Sequence, residues 1–132
     1  MIGVDTSVLV RYLVGTPTDQ AARAAVFMDD YEAELAVSVV ALAECAHVLR
    51  TQYEIDGRDI IDTLISFIQR ENVSLLGVRT DVLVEMLVRA RSMPGCPIPD
   101  AMIVAASLTA NALPLVTFDK GQGRYGISVR EP

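Results

Sequence analysis

Two rhythms of apolar and polar positions alternate along this chain, and the switches between them outline its elements. Short unbroken apolar runs predict strands: "MIGV" ending at Asp5, "ELAVS" at 34–38, "VSLLGV" at 73–78, "LPLVTF" at 113–118 and "ISVRE" at 127–131. Between them apolar residues recur at three- and four-residue steps, the spacing of a helix with one buried face. Val8, Leu9, Tyr12 and Leu13 predict a helix that stops at Gly15, and Thr18 reads as the N-cap of a second, Ala-rich one. Ser38 reads as the cap of a third, running from Val39 to about Tyr53. "GRDIIDTLISFIQRE" places Ile60, Ile61, Leu64, Ile65 and Ile68 on one face. "TDVLVEMLVRARSM" predicts a helix halted by Pro94-Gly95. "PIPDAMIVAASLTANA" opens a last, almost wholly apolar helix with Asp100 in its first turn.

Strands alternating with helices imply βα units, hence a mainly parallel central sheet covered on both faces. In such sheets ligands gather beyond the carboxyl ends of the strands. Asp5 closes the first strand and Asp119 follows the "LVT" strand, so both are expected at one edge. No repeat, low-complexity tract or linker interrupts the pattern, which predicts one domain over residues 1–132.

Composition narrows the class. With 52% hydrophobic and 21% charged residues the chain fits a compact α-rich or α/β globule, not a disordered one. The longest apolar stretch, "LAVSVVALAECAHVL", is broken by Ser38, Glu44 and His47 and is too short to span a bilayer. No basic segment precedes an apolar one at the start, so the expected location is cytoplasmic. Cys45 and Cys96 lack metal-finger spacing and read as reduced core thiols, with His47 a structural neighbour of Cys45. The net charge of −6 argues against a nucleic-acid partner. Four of the 17 acids held by a cation would leave the rest near neutral and reopen that possibility.

The acids therefore need individual readings. Asp5 serves either as the N-cap of the helix after it or as a metal ligand. Asp119 opens "DKG" and serves either as a turn residue or as a ligand. Asp100 faces the positive end of a helix dipole, about 0.3–1 kcal/mol of stabilisation without further function. Glu44 is different: three- and four-residue steps reach Val40, Ala41, His47 and Val48, which predicts an acid on a mostly apolar face. A buried carboxylate there would need an Arg from elsewhere, a hydrogen bond from His47 or a metal ion. If all four acids converge, each neighbouring pair at about 5 Å repels by roughly 3 kcal/mol at an effective dielectric near 20. Oxygen ligands of this kind suit Mg²⁺ or Mn²⁺, and such ions support phosphodiester cleavage.

With these residues assembled, the chain resembles the PIN-domain nucleases, and among them the VapC-like toxins of toxin–antitoxin pairs. The matching pieces are "VDTSVLVRYLVG", "VSVVALAECAHVLR", "IPDAMIVAAS" and "LVTFDKG", in that order from end to end. The resemblance implies a three-layer α/β/α sandwich and an acidic quartet of Asp5, Glu44, Asp100 and Asp119 as Mg²⁺ or Mn²⁺ ligands and catalytic residues. Thr6, Ser7 and Thr117 fall where the family keeps small polar residues lining that site. It implies an endoribonuclease that cuts a single-stranded or looped RNA, such as a tRNA or rRNA loop, by in-line attack of water on phosphorus. It further implies a homodimer and an antitoxin whose C-terminal segment blocks the site.

Two departures stand out: Ser7 occupies a position where many relatives have Asn, and Pro97 one where another acid is common. The second makes a single well-held ion the expectation. Arg11, Lys120 and Arg124 are the expected RNA contacts, while four Tyr, three Phe and no Trp leave no evident stacking platform. The rival reading is a non-catalytic PIN-like module that binds RNA or protein. An aspartyl-phosphate phosphatase would want an acid at Ser7, and a receiver domain a central Asp after "VSLLGV".

Overall fold

Capping side chains hand three of the five strands over to the element that follows. The computed structural model describes residues 1–132. Its first strand, β1 (Ile2–Gly3), runs into Asp5, which caps α1 (Thr6–Val14). After α2 (Thr18–Met28), β2 (Leu35–Ser38) ends on the residue that caps α3 (Val39–Thr51), Ser38 Oγ accepting from the Ala41 N–H at 3.0 Å. α4 (Gly57–Ile68), β3 (Val73–Leu76), α5 (Thr80–Arg91) and α6 (Ile98–Thr109) follow. The chain closes with β4 (Leu115–Val116), a 3₁₀ segment (Lys120–Tyr125) capped by Asp119, and β5 (Val129–Arg130). This is an α/β/α fold built on parallel strands.

The sheet departs from the single one expected. β1, β2 and β3 pair in parallel, with Leu35 opposite Ile2 and Val73, while β4 and β5 pair separately in parallel. β1 and β4 are two residues long, and strands that short offer too few ladder bonds to link the two pieces. As an edge, β1 leaves Ile2 49% exposed, so "MIGV" buries only Val4, while the central β2 buries Leu35, Ala36 and Val37.

Helix faces decide the packing. α4 turns Ile60, Ile61, Leu64, Phe67 and Ile68 inward, as its spacing predicts, and Ile65 is half-buried. Truncating a fully buried member such as Ile61 to Ala would cost about 2–5 kcal/mol. α5 and α6 make the most extensive helix pair, α5 burying Leu83, Met86, Leu87 and Ala90 and α6 the small residues Ala101 and Ala105. Gly57 is required where α4 approaches the loop before α6, because a Cβ there would stand 2.8 Å from Cys96 Cβ. Two helix boundaries differ from expectation. Pro17, extended at φ −63° and ψ 149°, takes the cap position of α2 and Thr18 becomes its first residue. α3 stops at Thr51, because the chain turns at Glu54 (φ 54°) and the Ile55 N–H closes back on the Leu49 carbonyl. Cys45 and Cys96 are free and buried, as read from their spacing. No helix is long and apolar enough to cross a membrane.

Candidate active site

Asp5 sits between β1 and α1 and does what an N-cap does. Its Oδ2 accepts from the Ser7 hydroxyl at 3.0 Å and from the Ser7 N–H at 3.4 Å. These donors, the hydroxyl foremost, hold the exposed carboxyl below the usual carboxylate range. The side chain is therefore anionic at neutral pH, and no basic group pairs with it. Thr6 beside it is buried.

Glu44 corrects the expectation of burial. The stripe that α3 buries consists of Ala41, Leu42, Cys45, Ala46 and Leu49, one residue round from the arc read in the sequence. Glu44 lies beside that stripe and is exposed, as are Val40 and His47, so hydration supplies what a buried acid would have needed. It makes no salt bridge. Glu44, Asp5, Thr6, Ser7 and Arg11 all line one cleft of about 280 Å³. Arg11 is fixed there by donating to the Ser7 carbonyl at 3.1 Å and to the Gln20 side chain.

Asp100 and Asp119 form a second acidic pair. Pro99 precedes Asp100 in the first turn of α6, a position suited to proline's fixed φ. Asp119 caps the 3₁₀ segment, Oδ1 accepting from the Gly121 N–H at 2.8 Å, and its own N–H donates to Thr117 Oγ1 at 2.9 Å. Thr117 thus sets the orientation of the turn that carries Asp119. Burial first, then the charge of Asp119, pushes the Asp100 carboxyl above its usual range, while hydrogen bonding with the Gln122 side chain works the other way. The buried Tyr125 hydroxyl donates to the Pro97 carbonyl at 3.1 Å. Its phenol is pushed up to about 12 by burial and by the charges of Asp100 and Asp119. Lys120 and Arg124 are exposed and pair with no acid.

The four acids thus fall into two pairs, Asp5 with Glu44 and Asp100 with Asp119. Nowhere do three or more His, Cys, Asp or Glu side chains gather in an arrangement that could hold a metal ion. The donor chemistry nevertheless fits a hard divalent cation: carboxylate oxygens, none of them neutralised by an Arg or Lys. Two residues of this region escaped the sequence reading. Gln122, almost wholly buried with its Oε1 lacking a hydrogen-bond partner, lies in a turn-rich stretch that has no periodicity to mark it. Tyr53 lines the cleft of Asp5 and Glu44, and nothing in its local sequence announces that.

No curated protein matches the chain. The model of the PIN domain matches residues 2–127. That span takes in all four acids and the whole strand–helix succession that carries them, and PIN domains are typically nucleases; the chain belongs to the PIN domain family.

Proposed function

We propose that this protein is a divalent-metal-dependent endoribonuclease, acting as the toxin of a toxin–antitoxin pair. The carrying observation is that Asp5, Glu44, Asp100 and Asp119, drawn from four separate segments, are all left without a basic partner. Asp5 and Asp119 are used as caps and Glu44 and Asp100 are not, yet all four keep a negative charge that no cation of the chain offsets. A site that takes a cation accounts for them.

In this reading the chain's own groups divide the work. Ser7 holds the Asp5 carboxylate charged and oriented. Thr117 and the Gly121 N–H hold Asp119 toward Asp100. Asp5, Glu44, Asp100 and Asp119 would hold Mg²⁺ or Mn²⁺, which when bound would activate a water and screen the phosphate charge. Arg11, Lys120 and Arg124 contribute positive charge for the RNA backbone. Hydrolysis would add water across the P–O3′ bond, its hydroxyl going to phosphorus and its proton to O3′, leaving a 5′-phosphate and a 3′-hydroxyl. A homodimer and an antitoxin that covers the site complete the proposal.

One observation favours a second reading, a PIN-like module that binds RNA or protein without cutting: the acids stand as two pairs and not as one set. Incubation of a loop-bearing RNA with wild type, Asp5→Asn and Glu44→Gln in Mg²⁺, Mn²⁺ or chelator separates the two. We expect cleavage with 5′-phosphate ends in metal only, and a loss of at least about 100-fold in each variant. RNA that stays intact in metal with the wild type overturns the nuclease reading in favour of the binding module.

A further inference from the structure

The cleft beside Asp5 and Glu44 is more elaborate than two acids require. Val10, Pro17 and Val48 give it apolar wall, and Arg11, Thr16, Gln52 and Tyr53 line it beside the acids. The termination of α3 makes this possible. Gln52 caps the helix, and the turn at Glu54 with the Ile55-to-Leu49 closure leads the backbone away. Tyr53 is thereby set on the cleft instead of being carried round another helical turn.

Tyr53 is 39% exposed, so its ring is open to the cleft it lines. Its hydroxyl and the Gln52 amide take part in no hydrogen bond within the chain, whereas Arg11 is held at both ends of its guanidinium. A free aromatic ring, a free amide offering a donor and an acceptor, and a fixed cation thus share one small space. A planar heterocycle with hydrogen-bonding edges and a phosphate attached matches that set. At about 280 Å³ the cleft lies just under the usual range of small-molecule pockets, room for one nucleotide unit and not for a duplex.

We propose that this cleft is a nucleobase subsite, in which one unpaired base next to the scissile phosphate stacks on Tyr53 and presents its edge to Gln52. This rests on the ribonuclease reading and adds to it the residues that choose where the RNA is cut. Gln52 sets the preference, since an amide discriminates between base edges, and Tyr53 supplies affinity that every base can use. Arg11 takes the phosphate of the same nucleotide.

Two measurements test it. The first titrates metal-free protein with AMP, CMP, GMP and UMP and follows backbone amide shifts. We expect shifts centred on Arg11, Gln52 and Tyr53, about 10-fold weaker binding in Tyr53→Ala, and retention of most affinity in Tyr53→Phe. The second sequences RNA ends produced by wild type, Tyr53→Ala and Gln52→Ala from a mixed-sequence RNA in Mn²⁺. The base preference flanking the cut collapses in both variants if the subsite is real. Cleavage by wild type with the same preference in Tyr53→Ala overturns the subsite and leaves the nuclease reading standing. Tyr53-dependent nucleotide binding without any cleavage by wild type upholds the subsite and overturns the nuclease reading. Neither binding nor cleavage overturns both.

Discussion

Asp119 raises the carboxyl of Asp100 across the gap between α6 and the turn after β4, second only to burial as a cause. The proton is therefore bound more tightly in the folded state than in the unfolded chain, whose carboxyl titrates near 3.9. Ionised Asp100 costs stability, a penalty absent below about pH 3.9 and complete once pH exceeds the raised folded value. Asp100→Asn removes it. In chelator at pH 7 the variant melts higher than wild type, by about 1–3 °C for a chain of this size. The gap closes as the buffer is taken below about pH 3.9. Calorimetric scans from pH 3 to 8 check this, and a lower melting temperature at pH 7 would show that the acidic pair is not a source of repulsion.

A cation drawn to the acids would bind the folded state alone. By mass action, ligand at 100 times its Kd stabilises by about 2.7 kcal/mol. Millimolar Mn²⁺ is therefore expected to raise the melting temperature by several degrees, with Mg²⁺ acting more weakly. Asp5→Asn and Asp119→Asn test whether the two pairs act on one ion. If they do, either substitution abolishes most of the shift. A shift that survives Asp5→Asn and vanishes in Asp119→Asn assigns the ion to the second pair alone.

Parts of this architecture were open to view in the sequence and parts were not. The inward face of α4 and the Ser38 cap follow from local spacing and side-chain chemistry, and both formed as read. Glu44 was misplaced because Val40 and Ala41 are both apolar, so two arcs of α3 fit its pattern. Only tertiary packing chooses the arc of Ala41, Cys45 and Leu49. The division of the sheet was invisible, since a strand of two residues has no alternation to read. Gln122 and Tyr53 gain their meaning from contacts with distant segments, and no window on the chain contains those.

Arg70 is the clearest instance of such a distant construction. Its guanidinium lies 4.6 Å from the Tyr31 ring centroid, 5.7 Å from Phe67 and 5.9 Å from Tyr12. It donates to the Met28 carbonyl and, at 3.1 Å, to the Tyr12 hydroxyl, with Asp29 at 3.8 Å. The Arg70 side chain is only 14% exposed, although Asp29 and Tyr31 on its outer side remain open to solvent. Arg70→Ala strips the last turn of α2 of a carbonyl partner and empties the space between the rings. We expect a loss of about 2–4 kcal/mol in urea unfolding with an unchanged slope. Arg70→Lys keeps the charge without the planar fork and loses an intermediate amount. A cost below about 0.5 kcal/mol for Arg70→Ala would mark it as an ordinary surface cation.

The structure gives the Ser7 hydroxyl a definite task. It donates to Asp5 Oδ2 at 3.0 Å and is the largest cause of that carboxyl's depressed pKa. A depressed carboxyl contributes stability above the unfolded value near 3.9, and that contribution is lost as pH falls through the lower folded value. Ser7→Ala deletes the stronger donor and leaves the two backbone N–H groups, of Ser7 and Thr6. The Asp5 carboxyl carbon, followed by NMR through an acid titration, is expected to titrate higher in the variant, between the wild-type value and the ordinary range. Ser7→Asn restores a donor and returns the midpoint toward wild type. Because Asp5 is a proposed metal ligand, Ser7→Ala also weakens Mn²⁺ binding while Asp5 itself remains in place. An unchanged Asp5 titration in Ser7→Ala would mean that the cap geometry alone, and not the hydroxyl, prepares this carboxylate.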